Sequence, residues 1–270
     1  MKKLFAALAL CLSTLLFSTP ITDHKIDLIA LNQLIAQLCL PTNGDILAET
    51  QKHWLRKPGQ ERWEQAELSP EQRQFVLKWA TEQGLYAAWK PSLQTYDKAL
   101  ILGATTSRMQ GRLNDLAQLW NDGIRFHEIV WLTGDRPLDA RVDALTDRCQ
   151  NESEAARMIW EESSLPAEMR ALPVVFVAVP MNGQKRPNTE DTIIAWLNKS
   201  SEPCTALFVS DQPFCGYQFE VIKSRLPKEI LFDVVGRGAE PASHPAAAAI
   251  TLDSLARWLY QERQNASQFD

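Results

Sequence analysis

The chain has 270 residues but only 11 glycines. None of them falls in a G-x-G-x-x-G or G-x-x-x-x-G-K-[ST] pattern, which leaves out the standard dinucleotide fingerprint and the P-loop. Histidine is scarce: His24, His53, His127 and His244 are scattered. With no H-E-x-x-H and no C-x-x-C, zinc finds no ligand set, and no metal site is expected. No G-x-S-x-G elbow marks a hydrolase nucleophile. No basic run is present, and 28 Lys+Arg against 33 Asp+Glu give a net charge of −5. That balance speaks against duplex nucleic acid as a partner, since such binding needs a basic face to displace counterions. There is no internal repeat and no low-complexity tract beyond Ala246 to Ala249. At 45% hydrophobic and 23% charged, the composition excludes disorder and a multi-span membrane protein.

No apolar run is long enough for a comfortable membrane span. The longest, Leu4 to Phe17, follows Met1-Lys2-Lys3 and ends at Ser18-Thr19-Pro20. This is the layout of a secretory leader over residues 1–22. Pro20 makes a poor cleavage site, so anchoring to a membrane through an uncleaved N-terminal segment stays open. Cys11 sits inside the apolar run, after Leu10 rather than a small residue, unlike a lipoprotein cysteine. Export places the protein in the periplasm or cell envelope. It leaves Cys39, Cys149, Cys204 and Cys215, enough for two disulfides; four isolated thiols is the plainer expectation in a domain this size.

Residues 24–90 read as a helical N-terminal region packing on the main domain. Ile26 to Leu38 carry apolar residues at helical spacing, and Pro41-Thr42-Asn43-Gly44 is a turn cluster. Ser69-Pro70-Glu71-Gln72 is a helix start with Ser as N-cap, Pro at the first position and Gln at the third. From residue 97 to 264 short apolar runs alternate with helical segments. The runs are 99–102, 128–132, 174–179, 206–209 and 231–235. They are continuous rather than alternating, as suits strands buried on both faces of a parallel sheet. Helices are expected up to Gly123 and over 152–163, 189–198, 214–226 and 251–263. The order predicts an α/β domain with a doubly wound, mostly parallel, five-stranded, Rossmann-like sheet.

Ligands of such sheets bind beyond the carboxyl ends of the strands. After the first run, Gly103, Thr105 and Thr106 lead into a helix whose first amides suit an anion, with Arg108 and Arg112 close by. After the second stand Thr133, Gly134 and Asp135; the carboxylate of Asp135 suits a sugar hydroxyl. After the third come Asn188, Thr189 and Glu190, which also fit an ordinary capped helix start. After the fourth come Ser210 and Asp211, and after the fifth Gly236-Arg237-Gly238.

These segments, in this order, resemble the domain-of-unknown-function family that contains the SanA, ElyC and YdcF proteins. Leu102-Gly103 with Arg108 or Arg112 matches its first motif. Thr133-Gly134-Asp135 matches the second, with Asp where Gly is usual. Glu154 matches a helix-opening Glu. Asn188-Thr189-Glu190-Asp191 matches the next motif, with Asp for Asn, and Val209-Ser210-Asp211-Gln212-Pro213 the last. The His and Arg of that last motif are missing; Cys215 and Gln218 stand near their places. The resemblance covers about residues 97–240. It implies a Rossmann-like domain, often held at the envelope by an N-terminal segment. Members are linked to envelope integrity, and at least one resembles a binder of S-adenosylmethionine.

The expectation is an exported, envelope-associated protein that binds a small phosphorylated or nucleotide-like ligand, with processing of that ligand left open. Arg108, Arg112 and the amides of 105–107 would hold the anion. Asp135, Glu154 or Glu190 would position a hydroxyl or act as a base. No cofactor is named by the residues. The alternative is a non-catalytic envelope or interaction protein of the same fold, suggested by the missing His and Arg and by the Trp-rich helical region. A third reading makes Ser210 or Cys215 a nucleophile with His127 or His244 as base.

Overall fold

The computed structural model describes residues 20–41, 44–57, 60, 68–200, 202–241 and 246–267. Residues 1–19 of the expected leader, with Cys11, and His244 lie outside them. Among the described residues no helix is long and apolar enough to cross a membrane.

Three helices come first: α1 (Leu28–Gln37), α2 (Ile46–Trp54) and α3 (Pro70–Glu82). Asp27 and Asp45 cap the first two, each side chain accepting from amides of the first turn. Ser69 and Gln72 close the expected capping box on α3, with Pro70 at its start, satisfying donors that the helix itself cannot.

Five strands follow: β1 (Thr95–Leu102), β2 (Arg125–Gly134), β3 (Val174–Val179), β4 (Cys204–Asp211) and β5 (Ile230–Arg237). They form one sheet in the order β3-β2-β1-β4-β5, and every pair is parallel. The crossovers are α4 (Thr106–Asn121), α5 (Glu152–Glu162) with the short α6 (Ala167–Arg170), α7 (Thr189–Leu197) and α8 (Cys215–Arg225); α9 (Ala247–Ser267) closes the chain.

Strand alternation sorts the apolar residues into two layers. Ala99, Ile101, Ile129, Trp131, Leu207 and Val209 pack against Met109, Leu113 and Leu116 of α4 and Ala155 and Ile159 of α5. Leu100, Leu102, Val130, Leu132, Ala206 and Phe208 pack against Ile193 and Trp196 of α7 and Phe219 and Ile222 of α8. Both faces of the sheet are therefore covered, which is why the strand runs are continuously apolar. This is a Rossmann-like α/β fold.

The helical region packs on the last helix. Leu34, Ile35, Val76, Trp79 and Ala80 share a third cluster with Ala248, Leu252, Leu255 and Ala256 of α9. Trp79 Nε1 donates to the Ala30 carbonyl at 2.8 Å. The outer edge of β5 is not left bare: Ile21 N donates to Phe232 O at 3.0 Å, and Trp89 and Gly236 exchange two backbone bonds. Cys39, Cys149, Cys204 and Cys215 are all free thiols.

Candidate anion site at the strand ends

Going along the sheet, the chain leaves β1 for one face and β4 for the other, so β1 and β4 diverge at their carboxyl ends and open a crevice. A cavity of about 530 Å³ lies there. Its wall takes residues from the ends of β1 and β2, the starts of α4, α5, α7 and α8, and two elements of the helical layer, the segment after α2 and α9. Six arginines line it: Arg56, Arg108, Arg112, Arg136, Arg186 and Arg257. Among the described lining residues only Asp139 and Glu152 are acidic.

Two clamps organise the floor. The first joins β1 to β4. Arg112, in the second turn of α4, is 2% exposed. It donates from Nε to Asp211 Oδ1 at 2.9 Å and from Nη1 to the carbonyls of Leu102 at 2.6 Å and Gly103 at 3.1 Å. One turn earlier Arg108 pairs with the other oxygen of Asp211. Its guanidinium lies 4.4 Å from the centre of the Phe214 ring, and its side chain keeps 32% of its surface exposed. Burial works to raise the Asp211 carboxyl, but Arg112 and Arg108 hold it below the ordinary carboxylate range.

The second clamp joins β2 to α5. Arg136 Nε donates to Glu152 Oε2 at 2.7 Å, Nη1 to Asp143 Oδ2 at 2.8 Å, and Nη2 to the Ala104 carbonyl at 2.9 Å. Asp143 also accepts from the amides of Thr106 at 3.0 Å and Asp139 at 3.0 Å. Burial opposes its charge, yet these donors keep its carboxyl below its ordinary value. Glu152 has fewer partners beyond Arg136: the Gly134 amide reaches Oε1 at 3.3 Å. Burial pushes its carboxyl above the usual range. Gly103 is glycine for a steric reason. A Cβ there would collide with Glu152 Oε1 and stand 2.7 Å from the Leu132 carbonyl.

Between the clamps lies the start of α4. Thr105 has extended N-cap geometry but makes no side-chain cap bond. The Thr106 amide is taken by Asp143, and the Thr106 hydroxyl accepts from Ala144 N at 2.8 Å. Thr105 and Ser107 face the cavity. A helix start of this kind presents amide hydrogens and a positive dipole end to an anion.

Of the residues expected from the sequence, Gly103, Thr105, Arg108, Arg112, Gly134, Asn188 and Thr189 line the cavity. Thr106, Thr133, Ser210 and Asp211 lie behind them, buried. Thr133 bonds to Ser153 Oγ at 2.9 Å, and Ser210 donates to Gln218 Oε1. Asn188 forms a capping box with Asp191. The three carboxylates read as catalytic stand elsewhere. Asp135 does not line the cavity, and its amide continues the ladder to Val179 O at 2.8 Å. Glu154 is exposed and accepts from Gln150 N at 2.7 Å. Glu190 pairs with Arg225 of α8 at 2.5 Å.

The residues that sequence reasoning missed are Glu152, Arg136 and Asp143 on one side, and Arg56, Arg186 and Arg257 above. Glu152 and Arg136 each sit within two residues of a carboxylate that the sequence singled out. The nucleophile reading finds little geometry. Cys215 is fully buried and burial pushes its thiol up to about 12, so it carries almost no thiolate. His127 is exposed at the amino end of β2, away from the cavity. Among the described residues no group of three His, Cys, Asp or Glu is placed to hold a metal ion. No protein-family model, curated protein or solved structure matches the chain.

Proposed function

We propose that this is an exported, envelope-associated protein whose strand-end cavity binds a small phosphorylated or nucleotide-like anion. One observation carries the reading: among the described residues, six arginines against two carboxylates in the wall of one cavity, at the crevice where α/β sheets bind ligands. Arg108 is the arginine best placed to change partners. It shares Asp211 with a second, fully buried arginine, and a third of its side chain is open. Phe214 and Tyr217 add aromatic surface to the same wall, which suits a ring attached to the anion. Export rests on the Lys2-Lys3 start and the apolar run after it. The resemblance to the SanA, ElyC and YdcF family points the same way.

Isothermal titration with AMP, a sugar phosphate, S-adenosylmethionine and sulfate tests the site. The expected result is saturable binding of at least one phosphate-bearing probe, weakened about tenfold or more by Arg108→Ala, since a hydrogen bond to a charged group contributes about 1.5–3 kcal/mol. Heats unaltered by that substitution would remove the site from consideration.

A further inference from the structure

The two acids of the second clamp share one guanidinium. Arg136 is the cation in hydrogen-bond contact with both Glu152 and Asp143, and all three side chains are largely buried. A buried pair of like charges with one counter-charge cannot keep both charges cheaply. Asp143 holds its charge through Arg136, the Thr106 amide at the positive end of α4, and the Asp139 amide. Glu152 has the single long bond from Gly134 besides Arg136. Of the two, Glu152 is the one in the cavity wall. The other charged group acting on it is Arg112 of α4, itself bonded to Asp211 and two carbonyls; Arg56, Arg108, Asp139, Arg186 and Arg257 share the cavity wall. Glu154, on its own helix, faces outward.

Resting on the anion-site reading, we propose that Glu152 takes up a proton when the anion binds and donates its hydroxyl hydrogen to a ligand oxygen. A bound dianion adds negative charge beside a carboxylate that already lacks a full counter-ion. Protonation removes the repulsion and converts an acceptor into a donor. Neither atoms nor charge are lost: one proton passes from solvent to Glu152 Oε1 or Oε2. Burial, which already favours the neutral carboxyl, acts in the same direction. Gly103 leaves the carboxylate the room to serve the cavity, because any larger residue there would displace it.

The probe is sulfate, a tetrahedral dianion that does not itself titrate near neutrality. Lightly buffered full-length protein is mixed with sulfate in a pH-stat from pH 5 to 9, with bound sulfate measured in parallel by titration calorimetry. The expected result is uptake approaching about one proton per sulfate at its maximum, with sulfate affinity falling as pH rises through that maximum, most steeply there. Glu152→Gln should still bind sulfate but take up almost no proton. Glu154→Gln should behave as wild type. A carbonyl stretch of a protonated carboxyl should appear in the wild-type difference infrared spectrum on adding sulfate, which tests the same claim without any variant. Sulfate bound at Arg108 with no proton uptake at any pH, or with full uptake retained in Glu152→Gln, would overturn the proposal and leave the anion site standing. If neither sulfate nor any phosphate-bearing probe binds, the anion site falls and this proposal with it.

Discussion

The two clamps on the cavity floor are opposite in charge. At the β1–β4 junction two arginines, Arg108 and Arg112, meet one carboxylate, Asp211. At the β2–α5 junction two carboxylates, Asp143 and Glu152, meet one arginine, Arg136. In each, the more deeply held member of the like-charged pair is structural. Arg112 ties the strand ends through two carbonyls, and Asp143 ties a loop to the first amide of α4. Both arginines reach the cavity wall, but Arg108 is the one with open surface, and of the two carboxylates Glu152 alone is in the wall. Structural and ligand-facing roles are thus split within each pair, so substitutions should separate loss of stability from loss of binding.

The largest effect should come from Arg112→Met. It leaves Asp211 buried with one partly exposed cation and strips the Leu102 and Gly103 carbonyls of their donor. Breaking a buried ion pair costs about 3–5 kcal/mol, which urea denaturation would register. A loss below about 1 kcal/mol would mean that Arg108 alone can serve Asp211, and the division of roles at this clamp would be wrong.

The second clamp gives a paired test. Asp143→Asn removes the charged bidentate partner of Arg136 and leaves one of its two backbone amides facing an NH2 instead of an acceptor, with an expected cost of about 2 kcal/mol or more. Glu152→Gln leaves a one-to-one pair, so its cost at pH 7 should be about 1 kcal/mol or less. The pH dependences have opposite signs. Asp143 has a lowered carboxyl, so its contribution is present above the ordinary Asp value and is lost as pH falls through the folded value. Glu152 has a raised carboxyl, so its ionisation costs stability, and that cost grows as pH rises from the ordinary Glu value through the folded one. Glu152→Gln should therefore gain on wild type across that rise, whereas Asp143→Asn should lose ground to it only near the acid end, as pH climbs through the Asp window. Chemical denaturation at pH 4, 6 and 8 would show both trends.

These residues also mark where sequence reasoning stopped. The strands were legible because most are buried on both faces and read as largely apolar runs; β3, at the sheet edge and only partly buried, showed through its Val-rich composition. The start of α3 was legible because Ser69, Pro70 and Gln72 are a local capping signal. The gathering of Gly103, Arg108, Gly134 and Asn188 followed from parallel strand order alone. Glu152 was missed because Glu152 and Glu154 both lie in the first turn of α5, and only the angle at which the helix packs decides which one turns inward. Asp143 sits in a loop with no periodicity. Arg56 and Arg257 arrive through packing of the helical layer, a long-range contact that no motif encodes.

Arg108→Ala should cost little stability, about 1 kcal/mol or less, because the side chain is a third exposed and Arg112 remains on Asp211. Its effect should fall on anion affinity instead. A stability loss matching that of Arg112→Met would make Arg108 a second structural arginine and shift the anion's cation to another arginine of the wall.

The smallest effect expected is that of Glu154→Gln, and it discriminates between resemblance and geometry. The family pattern puts its helix-opening Glu at 154, whereas the carboxylate in the cavity wall is Glu152. Glu154 is exposed and bonds to the backbone just ahead of its own helix, so its neutralisation should change stability by no more than about 0.5 kcal/mol and leave sulfate affinity as it was. If Glu154→Gln instead abolished binding while Glu152→Gln did not, α5 would have to turn by about two residues on its axis, roughly 200°. Ala155, Ala156 and Ile159 would then leave the core they share with the sheet. Burial of that apolar face is what holds the helix in register, so the energetics of packing, rather than the motif, assign the carboxylate to Glu152.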